Sequence, residues 1–557
     1  GPAASARAAF SGSGMLLCRR LEAAPARAAV RGVPGCSRAG LTLSRIIRAA
    51  GMEGEMVPDL VQQFVVYLYR HIRERNLHEI YTMYDNSWNK LSDRYFKTKP
   101  WPTVETVSHL VNNDHVFCLL YREMYHRHLC TKRPPTLQQR ADSWETYCSL
   151  FDIILNSDLN MLLPNVWLWD MVDEFVYQFQ SFCQFRGKLQ TKKPEELEFL
   201  AQNSQIWSAL GVFNYLQALV DKSKVLQQLA EKGDAFLVET ENYSAQTATS
   251  NVLPVLGYLA LVGLLRMHTL LGDYHGGLEA VKALNLDHAN TFVSKIARCH
   301  ISAHYHTGFC LMMLKRFRES TSVVNEGLVF VGRVKQYLSK SAGYDLVLQK
   351  MEQMYAMLAI AVGLNPTGER ALEESVSSNL AEKHREKIQR MQREAALQTY
   401  EDLFTYCCPK FVTAGPPDYS DVSKNLHQEA YKLQLKMFLK QVHQDPKLPV
   451  LRQYLKLYTS IPLAKLASLM DMPVESLEKL LLALKTRSRD ESAAGEGQCV
   501  VGFSLDVDAV SGETVVQVAD DQAVKHTADF FLRHIAKMDS IAQDLKKAGS
   551  GMSIATN

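Results

Sequence analysis

The run YTSIPLAKLASLMDMPVESLEKLLLALKTR, from Tyr458 to Arg487, decides how this chain is to be read. Ser460 suits a helix cap and Pro462 a first helical turn. Leu463, Leu466, Ala467 and Met470 then recur at helical spacing and form one apolar face. Asp471-Met472-Pro473 makes a three-residue turn, after which Val474, Leu477, Leu480, Leu481 and Leu484 form the inner face of a second helix. Upstream, Leu451, Leu455 and Tyr458 mark another helix around 450–458. Downstream, VVGFSLDVDAV (Val500–Val510) alternates Val501, Phe503, Leu505 and Val507 at period two. Ser-Gly-Glu turns the chain and TVVQV (Thr514–Val518) returns. Three helices followed by a β-hairpin make a winged helix.

Helix-turn-helix geometry also serves nucleic-acid readers, so the outward residues matter. Recognition helices aim Arg, Asn or Gln at base edges from a net positive surface. Here Lys465, Lys479, Lys485 and Arg487 alternate with Glu475 and lie close to Asp471, Glu478 and Asp490. Mixed charge points to protein docking, for which Ile461, Leu466, Leu477, Leu481, Phe503 and Val516 are the expected interface residues. RNA contact is secondary and confined to Lys479, Lys485 and Arg487.

The tail carries the cleanest periodicity in the chain. Val524, Ala528, Phe531, Ile535, Met538, Ala542 and Leu545 alternate steps of four and three, the a/d seam of three heptads. Behind a closed winged helix such a seam has no partner in its own chain. It predicts a C-terminal bundle helix shared with helices of other subunits.

Upstream the pattern is helical almost throughout. Val61, Phe64, Val65, Leu68 and Ile72 share one face. KTKPWPTVE (Lys97–Glu105) breaks the chain at its two prolines. Leu168, Val172, Phe175, Phe179 and Phe182 form the stripe of a helix buried between neighbours. A loop is expected over 232–251, a charged solvated helix over Glu382–Glu394 and an extended linker over Pro409–Val422. LLRMHTLLGDYHGGLEAV (Leu264–Val281) can be laid on TGFCLMMLKRFRESTSVV (Thr307–Val324) at an offset of 43 residues. Leu271 falls on Leu314, Tyr274 on Phe317 and Val281 on Val324, with Gly308, Leu311 and Ser320 at further small or apolar positions. The unit is a tetratricopeptide-like helical hairpin, which hides its apolar faces only by stacking.

The fold expected is therefore mostly α: a TPR/HEAT-like helical-repeat solenoid, then a winged helix with a small β-hairpin, then a bundle helix. The expected segments are a disordered or non-native extension over 1–55, helical repeats over 56–316, a helical part over 317–445 and the winged helix over 446–520. The bundle helix takes 521–547 and a disordered tail 548–557.

Composition narrows the function. With 557 residues the chain exceeds one compact core. The net charge of +3 is local: residues 1–50 hold eight Arg, no Lys and one Glu. Setting them aside takes Lys plus Arg from 62 to 54 and Asp plus Glu from 59 to 58, so the rest is about −4, unlike a dedicated nucleic-acid binder. The Ala- and Arg-rich opening fits an organelle transit peptide, a disordered tail or translated non-coding sequence, with Met15 and Met52 as candidate starts. Eleven scattered cysteines without a CxxC pair read as reduced thiols of an intracellular protein. The most apolar run, Val252–Leu265, is fourteen residues closed by Arg266, a core helix rather than a membrane span.

Three clusters resemble catalytic or metal sites. Cys299, His300, His304 and His306 have ligand chemistry, and His300 and His304 share a helix face. They fall inside the repeat, without a second ligand pair, and read as core or surface histidines. His126 and His128 are two apart on a helix and face different ways. Asp170, Asp173 and Glu174 stand near a helix N-terminus, which carboxylates favour without any catalytic role. There is no Walker loop, GxSxG, HExxH or GxGxxG opening a fitting helix. No cofactor, metal or catalytic residue is expected.

Helical repeats, a winged helix and a terminal bundle helix together resemble the PCI family of scaffold subunits, found in the proteasome lid, the COP9 signalosome and eukaryotic translation initiation factor 3. On that resemblance residues 317–520 are the PCI domain. The linear motifs select among the three. NSWNKLSDRYFKTKPWP (Asn86–Pro102), NDHVFCLLYREMYHRH (Asn113–His128) and LPNVWLWDMVDEFVYQFQSFCQFR (Leu162–Arg186) resemble the subunit l family of initiation factor 3. LKLYTSIPLAKLA (Leu455–Ala467) and VQVADDQAVKHTADFFLRHI (Val516–Ile535) do too. The resemblance covers about 58–547. It departs at residues 228–252 and 488–500, and the Arg/Ala stretch replaces the family's acidic, Tyr-rich N-terminal segment. It implies a non-catalytic, cytoplasmic scaffold with no membrane contact. The implied partners are subunits k and e and the small ribosomal subunit, within the 43S preinitiation complex and its mRNA recruitment. The alternatives are a PCI scaffold of the proteasome lid or signalosome, or a winged-helix RNA-binding protein.

Overall fold

Helix formation here follows the apolar stripes, most of which have found a neighbour. The computed structural model describes residues 57–157, 159–233, 236–237, 250–284, 286, 291–339, 343–365, 372–394, 397–419, 426–443, 448–492, 503–507, 514–518 and 534–542 except 536 and 540. The longer helices are α1 (Asp59–Glu74), α2 (His115–Lys132), α3 (Leu137–Asn156), α4 (Asn165–Arg186) and α5 (Ala209–Ser223). They continue with α6 (Val252–Leu271), α7 (Tyr274–Val281), α8 (Ala297–Met313), α9 (Phe317–Leu338), α10 (Tyr344–Leu364), α11 (Glu374–Glu394) and α12 (Leu397–Cys407). Then come α13 (Glu429–His443), α14 (Leu448–Leu457), α15 (Leu463–Leu469) and α16 (Val474–Ser492). The fold is mostly α, as the periodicities predict, with one small sheet.

All five stripe residues of α1 and all five of α4 are buried. Trp101, in the proline break, is wholly covered; it stacks on Trp88 at 3.9 Å and donates to Ser92 Oγ at 2.9 Å. Helix α6 runs through the middle of this core, buried at 16 of its 20 residues and packed by α4, α5, α7 and α8. It is the one helix long and apolar enough to cross a membrane among the described residues, and its burial makes it a core helix. The expected loop over 232–251 falls mostly outside the described residues.

The repeat is visible in the hydrogen bonds themselves. Helix α6 ends with Gly272 at φ +83° and Asp273 N–H donating to His268 O at 2.9 Å. Forty-three residues on, α8 ends with Lys315 at φ +64° and Arg316 N–H donating to Leu311 O at 2.9 Å. Both are left-handed helix stops with a six-to-one bond, one with the glycine that the conformation favours and one without it. In the second hairpin Ser320 Oγ donates to Gly308 O at 2.8 Å, and a Cβ at Gly308 would stand 2.5 Å from Val324 Cγ2. That contact sets how closely α8 and α9 approach. Helix α11 is solvated apart from Val376, Leu380 and Met391, as its charge predicts.

The stretch expected to be a linker is extended but not free. Phe411 and Val412 are buried, and Val412 N–H donates to Leu270 O at 3.0 Å. Arg186 reaches the carbonyls of Thr413 and Gly415 at 3.4 and 3.3 Å, and Gln180 reaches that of Lys410 at 3.0 Å. Residues 410–415 are a strap across α4 and the end of α6. Buried aromatic and valine side chains drive the segment down onto those helices, a gain that the prolines alone do not reveal.

The winged helix forms with one correction. Ser460 does not cap α15; Ser460–Pro462 is a strand, β1, and Pro462 is the residue at which α15 begins. With β2 (Phe503–Val507) and β3 (Thr514–Val518) it makes a three-stranded antiparallel sheet of order β1-β3-β2. Ile461 faces Val516, Leu505 also faces Val516, and Val507 faces Thr514. A three-residue strand has too short an alternation to stand out in the sequence. The Asp471 turn carries a left-handed residue at φ +49°.

The repeat geometry yields opposite expectations for two substitutions. Gly308→Ala forces α8 from α9 and lowers stability by about 1–3 kcal/mol. Lys315→Gly relieves a left-handed residue and raises it by about 0.5–1 kcal/mol, after the entropy that glycine adds to the unfolded chain. Urea unfolding of both variants beside the parent measures the two signs.

Candidate functional site

The carboxylates that look catalytic in sequence are bound up in the core. Asp170 accepts from the Tyr84 hydroxyl at 2.7 Å, and its two oxygens lie 3.4 Å from Arg127 and 3.3 Å from Arg298. Arg127 also bonds Tyr84 and Glu123. Glu123, with no exposure at all, accepts from Tyr147 at 3.2 Å and from the Trp167 indole at 3.3 Å. Asp173 pairs with Arg266, the charge that closes the apolar run of α6. Each ion in this set has an opposite ion, and Asp170 and Glu123 accept further hydrogen bonds, the condition under which buried charge is tolerated. Burial pushes the Tyr84 and Tyr147 hydroxyls up, while Asp170 holds Arg298 in its charged form. Burial also pushes the Glu174 carboxyl up to about 8, against the hydrogen bond that Gln178 donates at 2.9 Å. The arrangement ties α2, α4, α6 and α8 together: it encloses the Asp170 and Glu123 carboxylates, and Arg266 holds the partly exposed Asp173.

Of the two positions open to the histidines, core and surface, they take the core. His300, His304 and His306 are buried. The His300 ring lies 4.1 Å from those of both His304 and Phe330, and His304 Nδ1 meets the His300 carbonyl at 2.9 Å. His126 and His128 are also buried, the latter edge-on to Trp88. No group of three His, Cys, Asp or Glu among the described residues could hold a metal. Burial pushes His300 down to about 3, with His304 adding to it, and burial takes His126 and His128 to about 4.

The winged helix is where surface chemistry remains. Ile461, Leu466, Leu477, Leu481, Phe503 and Val516 are all buried within the module's own core, beside Leu451, Leu455 and Leu484. This corrects the expectation that they meet a partner directly: a side chain covered by its own chain has no surface left to offer. Periodicity marks the inward face, and these six positions lie on it. Among the described residues the apolar side chains that do reach the surface include Val450, Leu457, Leu469, Val474, Leu482 and Leu505, with Tyr458 partly so. Most of them stand off the inward stripe, and no periodic signal singles them out. Lys479 and Lys485 are exposed, with Glu475, Glu478 and Asp471 exposed around them. Lys485 Nζ stands 5.8 Å from the Phe503 ring centre. Arg487 lies within α16, and its side chain is outside the described residues. The face is mixed in sign.

Of the heptad seam, Val524, Ala528, Phe531 and Leu545 lie outside the described residues. Residues 534, 535, 537–539, 541 and 542 are helical, with Ile535 63% and Met538 68% exposed and Ala542 exposed too.

Comparison with known proteins follows the same lines. Residues 139–538 match the family model described as RNA polymerase I-associated factor PAF67. The chain is 39% identical over 500 residues to a Nematostella vectensis protein named eukaryotic translation initiation factor 3 subunit L, covering 88% of this chain and 93% of that one. Proteins of the same name from Xenopus laevis and Homo sapiens are 36% identical over 530 residues and 35% over 532. They cover 88% and 89% of this chain and 92% of each relative.

The buried histidines set an acid limit. His300 is neutral in the fold down to about pH 3, whereas in the unfolded chain it takes a proton below its ordinary 6.5. The unfolded state therefore binds more protons in that window, and stability falls as pH is lowered through it, by up to about 1.4 kcal/mol per pH unit for this residue. His300→Gln should flatten the slope of unfolding free energy between pH 6 and pH 4 by about that amount. An unchanged slope would mean that His300 is protonated in the folded protein.

Proposed function

The chain belongs to the subunit L family of eukaryotic translation initiation factor 3, and from that membership we propose that it is a non-catalytic, cytoplasmic scaffold subunit of that factor. It holds other PCI-type subunits, k and e among them, and supports the 43S preinitiation complex and mRNA recruitment on the small ribosomal subunit. The observation that carries this reading is the state of its polar and apolar surfaces. The buried carboxylates and histidines are consumed by the core, while the winged helix and the terminal helix keep apolar side chains in water. Ile535 and Met538, on a helical segment, are not covered by any of the described residues. Large exposed apolar side chains in that pattern ask for partner helices. The mixed charge of α16 supports protein docking over nucleic-acid reading and leaves RNA contact at Lys479 and Lys485 as a charge-driven supplement.

Two variants and one fractionation test it. Phe531→Asp with Ile535→Asp places charge in the seam. The tagged double variant, recovered from cytosol, should lose the sister subunits while keeping the parent's helical content and melting behaviour. Recovery of every sister subunit would sink the seam. The tagged parent chain should bring down initiation-factor subunits and small-subunit ribosomal proteins. Proteasome-lid or signalosome subunits instead would keep the architecture and overturn the assignment. Strong binding of RNA by the chain alone, falling steeply with salt, would favour the winged-helix RNA binder.

A further inference from the structure

Helices α12 and α13 leave an open groove of about 550 Å³ between them. Leu397 contributes from α12 and Leu435 and Leu439 from α13, while Lys432, Lys436 and Lys440 of α13 line it as well. At about 100° per residue, Leu435 and Leu439 point to one side of α13 and the lysines, spaced four apart, form the next stripe over. Phe438 and Gln434 occupy the opposite, buried side. Phe438 stacks on Phe404 of α12 at 4.6 Å, and Gln434 accepts from the Tyr274 hydroxyl at 2.7 Å. The two helices are therefore anchored to the core, and the groove is a fixed feature of their outer side. Leu397 is 38% exposed.

Three ammonium groups in a row beside a leucine floor repel one another. Among the described residues none of the three lysines pairs with a carboxylate. Among the described residues neither feature is used up: Leu397 is exposed, Leu435 and Leu439 are only partly buried, and the lysines are one half of an ion-pair ladder. We propose that this groove is the docking site of an acidic amphipathic helix from a partner protein. Its apolar residues, three and four apart, would lie on Leu397, Leu435 and Leu439, and its Asp or Glu side chains, one per turn, would meet Lys432, Lys436 and Lys440. Helix-in-groove recognition uses such anchors, and opposite charge along the rim sets orientation and partner choice. The leucine floor argues for a helix over RNA, whose bases seek aromatic platforms and hydrogen-bond donors; among the described residues the groove lining has neither rings nor polar side chains other than the lysines. The inference rests on the scaffold reading only in supposing that the chain works inside a complex.

The test uses the full tagged chain in its native assembly. Carbodiimide, which joins a carboxylate to an amine at zero length, should link Lys432, Lys436 or Lys440 to an Asp or Glu in another protein. The linked segment should carry apolar residues at helical spacing. K432E/K436E/K440E, whose changes are all on the surface, should lower recovery of that one partner by at least about ten-fold at moderate salt. The other subunits should be retained, and the Lys-to-Arg triple variant should keep the partner. L397D, on the other helix, should lose the same partner through the floor rather than the rim. Links only to acidic residues of this chain's own C-terminal segment would overturn the proposal, as would ultraviolet cross-links of the 432–440 peptide to RNA. So would the absence of any link, or full recovery of all partners by both the Glu triple variant and L397D. Failure of the scaffold reading is distinct: the parent chain would then recover no initiation-factor subunits, whatever α13 is linked to.

Discussion

A twenty-residue helix with no polar face can persist in water only if other elements cover every side of it, and α6 is such a helix. Its burial makes demands on the rest of the chain. The aromatic helix α4 lies along it, α5 and the hairpin partner α7 cover further sides, and α8 closes the repeat. The strap at 410–415 comes back from beyond α12 to bond its last turn. Gly263 brings it close enough to α4 that an added Cβ would meet Val172 at 2.9 Å. The chain around α6 is thus ordered by what that helix cannot expose.

Inside this cover the polar groups follow a second rule. Charge removed from water must be matched by opposite charge and hydrogen bonds. Arg127 and Arg298 converge on Asp170, Glu123 collects a phenol and an indole, and Arg266 meets Asp173. These contacts are directional where the apolar packing is not, so they register α2, α4, α6 and α8 against one another. They also explain why acids and histidines of catalytic type have no catalytic surroundings: the groups are satisfied, neutral or enclosed.

What faces outward is of a different kind. The winged helix hides the residues that define its fold and exposes others, a terminal helical segment exposes Ile535 and Met538, and α13 shows a lysine stripe beside leucines. Apolar and charged stripes left outside in this way suit a surface that other chains cover. That is the physical sense of membership in a family of initiation-factor subunits.

The amino-acid sequence by itself determined which segments are helices, which face of each is inward, and where the winged helix lies. Those properties follow from local spacing: Val61 to Ile72 on α1, Leu168 to Phe182 on α4, Leu463 to Met470 on α15. The offset-43 hairpin was legible for the same reason, through Leu271 and Leu314, Tyr274 and Phe317, Val281 and Val324; its equivalent left-handed stops at Gly272 and Lys315 emerged only in three dimensions. Tertiary structure alone decided which inward residues stay inward. A periodic face records that a side chain avoids water, not whether its own chain or a partner provides the cover, so Leu466 and Phe503 read as interface and are core. It also decided the third strand at Ser460–Pro462, the strap at 410–415, the pairing of Asp170 with Arg298 and the groove between α12 and α13. Each of these depends on residues brought together from distant parts of the chain, and separation in sequence carries no spacing from which such a meeting can be read.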